Sequence, residues 1–394
     1  MNILTNMKNI NKNIIALGWV SFFTDMASAM LVPIIPIFVV SVLQSGADKL
    51  GVILAISSFV SYFLRFFTGY IAEQKRVVKP LMLLGYIISA ICKPLFFWSY
   101  SWHSVAGLRA TERIGKSIRT APKDLMISHY SESKKSGKNF GFHKMMDISG
   151  ELAGIFVVFV LFYFYSSSEE LIRQIFLFTA IPGTFAVFIM AFFVQDIAYQ
   201  KKESIEFQFS QQDKKLVLPM LFFFLFTFFI FEESFFILRS KDLGFSLALI
   251  PLLVLVCKLT QALVSYKIGL LVDQHAHNKM MIFAYLSGIL SLILFLSGEI
   301  LLIWFGFAVY GFYCVSSLNI FRALISEQAS QTGGMFGVFY AGMAVALALS
   351  ALLFGYLWEN HGGQFALMIS LFGSIGLFVI YLAYVLINAR HKTK

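Results

Sequence analysis

Charge is scarce in this chain: Asp, Glu, Lys and Arg make up 13% of its 394 residues, whereas 58% are hydrophobic. A water-soluble globule of this size needs more polar residue to cover itself, so lipid must be the solvent for most of the surface. Cysteine is scarcer still. Cys92, Cys257 and Cys314 lie far apart in apolar stretches, which excludes a disulfide framework and a cysteine metal motif and leaves packed hydrophobes. Also absent are a GxxxxGK[ST] nucleotide loop, a GxSxG nucleophile elbow and any His, Cys and Asp grouping with metal-ligand spacing. A membrane enzyme therefore lacks its parts, and no cofactor is expected. The first apolar run is too long for a cleaved leader and lacks a small-residue cleavage site, so it reads as its own insertion signal.

What the chain does have is lipid-length apolar runs. A membrane helix takes about 20 apolar residues. About twelve such stretches follow one another, near 14 to 42, 50 to 72, 80 to 101, 104 to 121, 143 to 165, 171 to 195, 215 to 238, 246 to 271, 279 to 298, 300 to 324, 336 to 358 and 365 to 387. The expected fold is an all-α membrane protein of twelve transmembrane helices. An even number of spans puts both termini on one side. Lys and Arg gather at Lys8 and Lys12, and in alternate breaks at Lys75, Arg76 and Lys79, at Lys134, Lys135 and Lys138, at Lys201, Lys202, Lys214 and Lys215, and at Lys279. The other breaks, around Asp48, Glu169, Asp242, Glu299 and Glu359, are less basic. Both ends are therefore expected in the cytoplasm. The net charge of +10 reports that topology rather than a nucleic-acid surface.

A polar segment over 196–214 divides the chain into an N-terminal six-helix bundle, 1–195, and a C-terminal one, 215–394. Two internal echoes support related halves. Gly69, Glu73, Gln74 and Lys79 recur at an offset of 200 as Gly269, Asp273, Gln274 and Lys279, and Ile127-Ser128 with Phe140-Gly141 recurs as Ile325-Ser326 with Phe336-Gly337. Repeated halves build a central site in many transporters.

Gly69-Tyr-Ile-Ala-Glu73 with Lys79, and again Gly269-Leu-Leu-Val-Asp273 with Lys279, resembles the loop signature of the major facilitator superfamily. The run from Arg109 through Glu112, Arg113, Gly115, Lys116, Arg119 and Pro122 to Asp124 resembles the fourth-span motif RxxDRxGKGxRTAPRD of a bacterial efflux-type permease branch. Gly85-Tyr86 with Lys93-Pro94, and Phe140-Gly141-Phe142-His143 leading to Asp147 and Gly150, agree with that branch. Glu112 and Ser117 depart from it, and the fifth span lacks the Gly-Pro pair that resembles the antiporter motif. The resemblance implies a two-bundle fold and a gating role for Gly69, Glu73, Lys79, Gly269, Asp273 and Lys279.

Charges inside spans cost about 2.5–3.5 kcal/mol each on insertion scales and mark function or pairing. At about 100° per residue, Arg109, Glu112, Arg113, Lys116 and Arg119 share a stripe about 120° wide. The stripe must face a wet cavity or counter-ions. Its positive excess points to an anionic solute held by Arg109, Arg113 and Lys116, with Arg65, Arg322 and Asn319 as further candidates; anchoring or structural pairing is the alternative. Asp147 and Glu151, four apart, are counter-ion candidates for the stripe. Asp25, ahead of Pro33 and Pro36, and Glu233 supply an acid in each half, so Asp25, Asp147, Glu151, Glu233 and Glu112 are candidate proton-coupling groups. Pairing with Lys93, Lys258 or Arg322 is the structural reading of Asp25 and Glu233, and snorkelling to the outer surface is the alternative reading of Lys93 and Lys258.

A channel or receptor leaves these internal charges unexplained. The expected function is secondary active transport of a small organic, anionic solute by alternating access, first as proton-coupled efflux and alternatively as import or uniport of an organic anion. The expected partners are the solute, protons or another coupling ion, and the bilayer of a bacterial cytoplasmic membrane, with the chain working as a monomer.

Overall fold

The computed structural model describes residues 11–75, 78–131, 136–165, 168–197, 210–272 and 277–392. Among them every regular element is helical. The first span is Lys12–Ala29, followed after a break by Ile35–Ile37 and a π-helical turn, Phe38–Val42. The second is Gly46–Lys75, the third Val78–Leu95, the fourth Trp102–His129 and the fifth Ser136–Phe164. The sixth is made of Glu169–Phe178 and Ala180–Phe192, and the seventh of Gln211–Phe229 and Glu233–Asp242. The eighth to twelfth are Ile250–Val272, His277–Leu296, Ile300–Gln328, Thr332–His361 and Gly363–Lys392.

Among the described residues, nine helices are long and apolar enough to cross a membrane. The other three of the expected twelve fall short for different reasons. A break at 30–34, where Pro33 and Pro36 lack the N–H that would continue the ladder, confines the first span to the 18 residues Lys12–Ala29, which with Lys12, Asn13 and Asp25 among them are not apolar enough. The fourth carries the charged stripe, and the apolar part of the eighth runs only from Ile250 to Ser265. The break in the seventh span exposes backbone carbonyls in a medium without water. They are met by side chains: Ser370 Oγ donates to the Phe229 carbonyl, and the Tyr310 hydroxyl donates to that of Phe231 at 3.3 Å.

Packing divides the chain into one unit of Met1–Phe38 with Val60–Ser204, and a second of Val39–Phe59 with Ile205–Lys394. In the first unit, the first span packs on the fifth and sixth, and the third on the fourth and sixth. In the second, the seventh packs on the eleventh and twelfth, and the ninth on the tenth and twelfth. A shift of six spans converts one set of pairings into the other. Residues 39–59 join the second unit where Gly51 meets the backbone of Ala351 and Gly355. There the Ala47 N–H donates to Glu359 Oε2 at 2.7 Å.

The core of the first unit gathers Leu17, Val20, Met82, Tyr86, Met126 and Met190. Its first and fifth spans cross in backbone contact, since a Cβ at Gly150 or Gly154 would run into the carbonyls of Phe22 and Met26. Small residues let membrane helices approach this closely and gain dispersion where no hydrophobic drive exists. That crossing brings the acids of the two helices to one cavity.

Candidate functional site

A cavity of about 240 Å³ opens inside the first unit. Four bases line it, Lys116, Arg119, Lys123 and Lys144, together with three acids, Asp25, Asp147 and Glu151, and the polar groups of Ser21, Thr24, Tyr86 and Thr120. The first span contributes Ser21, Thr24 and Asp25, spaced three and one apart so that they share a helical face. The fifth contributes Lys144, Asp147 and Glu151. The fourth contributes Lys116, Arg119, Thr120 and Lys123, held against the third where a Cβ on Gly85 would lie 2.6 Å from the Gly115 carbonyl.

A polar chain runs along one wall. Ser21 Oγ lies 2.7 Å from His143 Nε2, His143 Nδ1 lies 3.3 Å from Asp147 Oδ1, and Lys123 Nζ lies 3.9 Å from Asp147 Oδ2. The imidazole thus bridges a hydroxyl on the first span and a carboxylate on the fifth. On another wall the Arg119 guanidinium sits 4.7 Å over the Tyr86 ring, an attraction that fixes its plane. Arg119 is 5% exposed, and its Nη1 has no hydrogen-bond partner, as is true of Thr24 Oγ1. Asp25 and Glu151 make no hydrogen bond or ion pair among the described residues.

The expected fourth-span stripe divides along its length. Arg109 Nη1 meets Glu112 Oε2 at 2.8 Å, and Arg113 Nε approaches the same oxygen at 3.7 Å. These three form an ion cluster within the helix, whereas Lys116 reaches the cavity. Lys93 is 0% exposed and donates to the Thr24 carbonyl at 3.3 Å, which rules out the snorkelling alternative for it.

In the second unit the candidates occupy separate helix pairs. Glu233, in the first turn after the seventh-span break, pairs with Lys258 Nζ at 3.0 Å. Asn319 Nδ2 donates to Ser265 Oγ at 3.3 Å, and the Arg322 guanidinium lies 5.9 Å from the Tyr340 ring centre. Of the gating candidates, Lys79 bonds the end of the sixth span: its N–H donates to Asp196 Oδ1 at 3.2 Å and its Nζ to the Ala191 carbonyl at 2.9 Å. Nearby the Tyr130 hydroxyl donates to the carbonyls of Gln195 and Asp196; burial, then Asp196, pushes this phenol above its ordinary pKa. Lys279 is exposed. Asp273 lies outside the described residues, as does 198–209 of the expected linker, and for Arg65, Gly69, Glu73 and Gly269 only the helical backbone is described.

Sequence reasoning put Arg119 on the charged stripe but did not place Ser21, Thr24, Tyr86, Lys123 or His143 at the site. A signal for one of them was present, because His143, Asp147 and Glu151 repeat every four residues on one face. Among the described residues no group of three or more His, Cys, Asp or Glu could hold a metal ion.

Lipid-length helices around a mixed-charge cavity of about 240 Å³ define a multi-pass membrane protein with room inside it for a small molecule. The family model of the Major Facilitator Superfamily matches residues 17–332. The chain belongs to that superfamily and is a transporter of a small-molecule solute across a lipid bilayer, not an enzyme. It is 30% identical over 369 residues to an uncharacterized MFS-type transporter of Methanocaldococcus jannaschii, covering 90% of each chain. Similar solved structures include a POT family transporter in complex with a thioalcohol-conjugated peptide, with TM-score 0.78, 12% identity and 96% of each chain covered. Another is the nucleoside transporter NupG, with TM-score 0.75, 15% identity, and 94% of this chain and 98% of that one covered. At such identity these structures show the fold alone.

Proposed function

We propose that the chain is a proton-coupled carrier of a small organic solute bearing an anionic group, working by alternating access as an exporter. The observation that carries this reading is the first-unit cavity, where four bases and three acids line one space in a chain with little charge to spare. Intramembrane charge is expensive, and a cluster of both signs beside water suits solute binding and proton exchange together. Asp25, Asp147 and Glu151 are the coupling carboxylates in this reading, with Glu233 their counterpart in the second half, and Lys116 is an anion contact. Glu112, shared between Arg109 and Arg113, supports the structural alternative for that part of the stripe. Arg65, Arg322 and Asn319 stand as further solute contacts. We take 1–195 and 215–394 as the two moving bundles joined by 196–214, with gates at Gly69, Glu73 and Lys79 and at Gly269, Asp273 and Lys279. The proposed setting is a bacterial cytoplasmic membrane, both termini inside, with the monomer as the working unit.

The test is flux in proteoliposomes under an imposed pH gradient, with organic anions as solutes. Asp25→Asn and Asp147→Asn are expected to lower gradient-driven flux by at least about tenfold, a loss of about 1.4 kcal/mol of transition-state stabilisation. Flux indifferent to the gradient and to both substitutions removes proton coupling. The fifth span, Gly150-Glu151-Leu-Ala-Gly154, lacks a Gly-Pro pair, which favours import or uniport of an organic anion as the second reading. Flux that follows the solute's own gradient distinguishes it.

A further inference from the structure

We propose that the first-unit cavity is a binding site for a zwitterion, its anionic group taken by Arg119 and its cationic group by Asp25 and Glu151. This deepens the transporter reading above and rests on it.

Arg119 is 5% exposed and lines the cavity, yet its Nη1 donates to nothing. A buried donor without an acceptor is destabilising by about 1–3 kcal/mol, and more when charged, so the fold keeps it at a loss unless a ligand supplies the acceptor. Stacking over Tyr86 at 4.7 Å already holds the guanidinium plane, so little ordering entropy remains to be lost when a carboxylate docks. The opposite sign is just as incomplete. Asp25 and Glu151 line the same space without a hydrogen bond or ion pair among the described residues.

Neither sign alone completes the site. A simple anion at Arg119 leaves two carboxylates unpaired beside it and adds like-charge repulsion. A simple amine at Asp25 and Glu151 leaves the Arg119 donor unmet and faces Lys116, Arg119 and Lys144. A solute with both groups meets the two walls at once. Thr24 Oγ1, buried and without a partner, is a further polar contact on the Asp25 side. The volume of about 240 Å³ falls below the roughly 300–1,000 Å³ of drug-sized pockets, which limits the solute to amino-acid size.

The experiment is calorimetric titration of the full chain in lipid nanodiscs with matched probes. L-norvaline and 5-aminovalerate carry both charges at short and long separation, valerate only the carboxylate and butylamine only the ammonium. At least one zwitterion is expected to bind at least about tenfold tighter than both single-charge probes. Arg119→Gln should bring its affinity down to that of butylamine, and Asp25→Asn with Glu151→Gln down to that of valerate. Valerate or butylamine binding as tightly as the better zwitterion overturns the proposal, as does absence of binding by both zwitterions. The wild-type comparison stands even where a substituted chain fails to fold. Because titration needs no flux, zwitterion binding with pH-indifferent flux removes only proton coupling, whereas coupled flux of valerate with no zwitterion binding removes only this proposal.

Discussion

Glu112 is fully buried, and one of its oxygens serves two guanidinium groups, at 2.8 Å and 3.7 Å. In a low-dielectric interior such a pair is balanced between desolvation and attraction, and breaking it is worse than never having made it. Glu112→Gln keeps the shape and removes the charge, so Arg109 and Arg113 face a neutral amide. The expected loss is about 3 kcal/mol, read as a lower unfolding temperature in detergent, while Arg109→Met with Glu112→Leu should lose less than the single change. Equal stability of wild type and Glu112→Gln would assign the carboxylate to coupling instead. The residue scale is also where the sequence was hardest to read. A helical wheel gives the azimuth of Arg109, Lys116 and Arg119 but not which neighbour each one meets, so it could not separate the self-paired end of the stripe from the end facing the cavity. The Ser21 to His143 contact joins residues 122 apart, and no local pattern encodes it.

At the scale of elements, the apolar runs were legible because length and composition are local properties, and each of the twelve stretches is helical over most of its length. The breaks at 30–34 and 230–232 differed in legibility for a physical reason. Pro33 and Pro36 announce the first, whereas the second has no proline or glycine and is held by tertiary bonds from Tyr310 and Ser370. The crossing of the first and fifth spans rests on Gly150 and Gly154, which admit the carbonyls of Phe22 and Met26. Gly154→Leu must push those backbones apart. We expect a loss of about 1–3 kcal/mol, the usual range for overpacking, and weaker solute binding, because Asp25 then recedes from Asp147 and Glu151. Thermal unfolding and titration measure the two effects; unchanged values for both would mean that the crossing does not set the cavity.

At the scale of the whole molecule, the pattern of Lys and Arg in alternate breaks predicts a definite orientation. The ninth helix, His277–Leu296, has 20 residues, which at about 1.5 Å rise per residue makes it about 30 Å long. That equals the thickness of a hydrocarbon core, so Lys279 and Glu299 must emerge on opposite faces. Both are exposed, and Cys92 and Cys257 are buried at 5% and 0% exposure, so a thiol introduced at either position reports against a low background once Cys314 is measured in the parent chain. With a membrane-impermeant maleimide on intact cells, Glu299→Cys is expected to label at once and Lys279→Cys only after lysis. The reverse order would invert the proposed topology and, with it, the side from which the solute enters. Labelling of both from outside would deny that the ninth helix crosses at all, and with that the even number of spans that puts the two termini on one side.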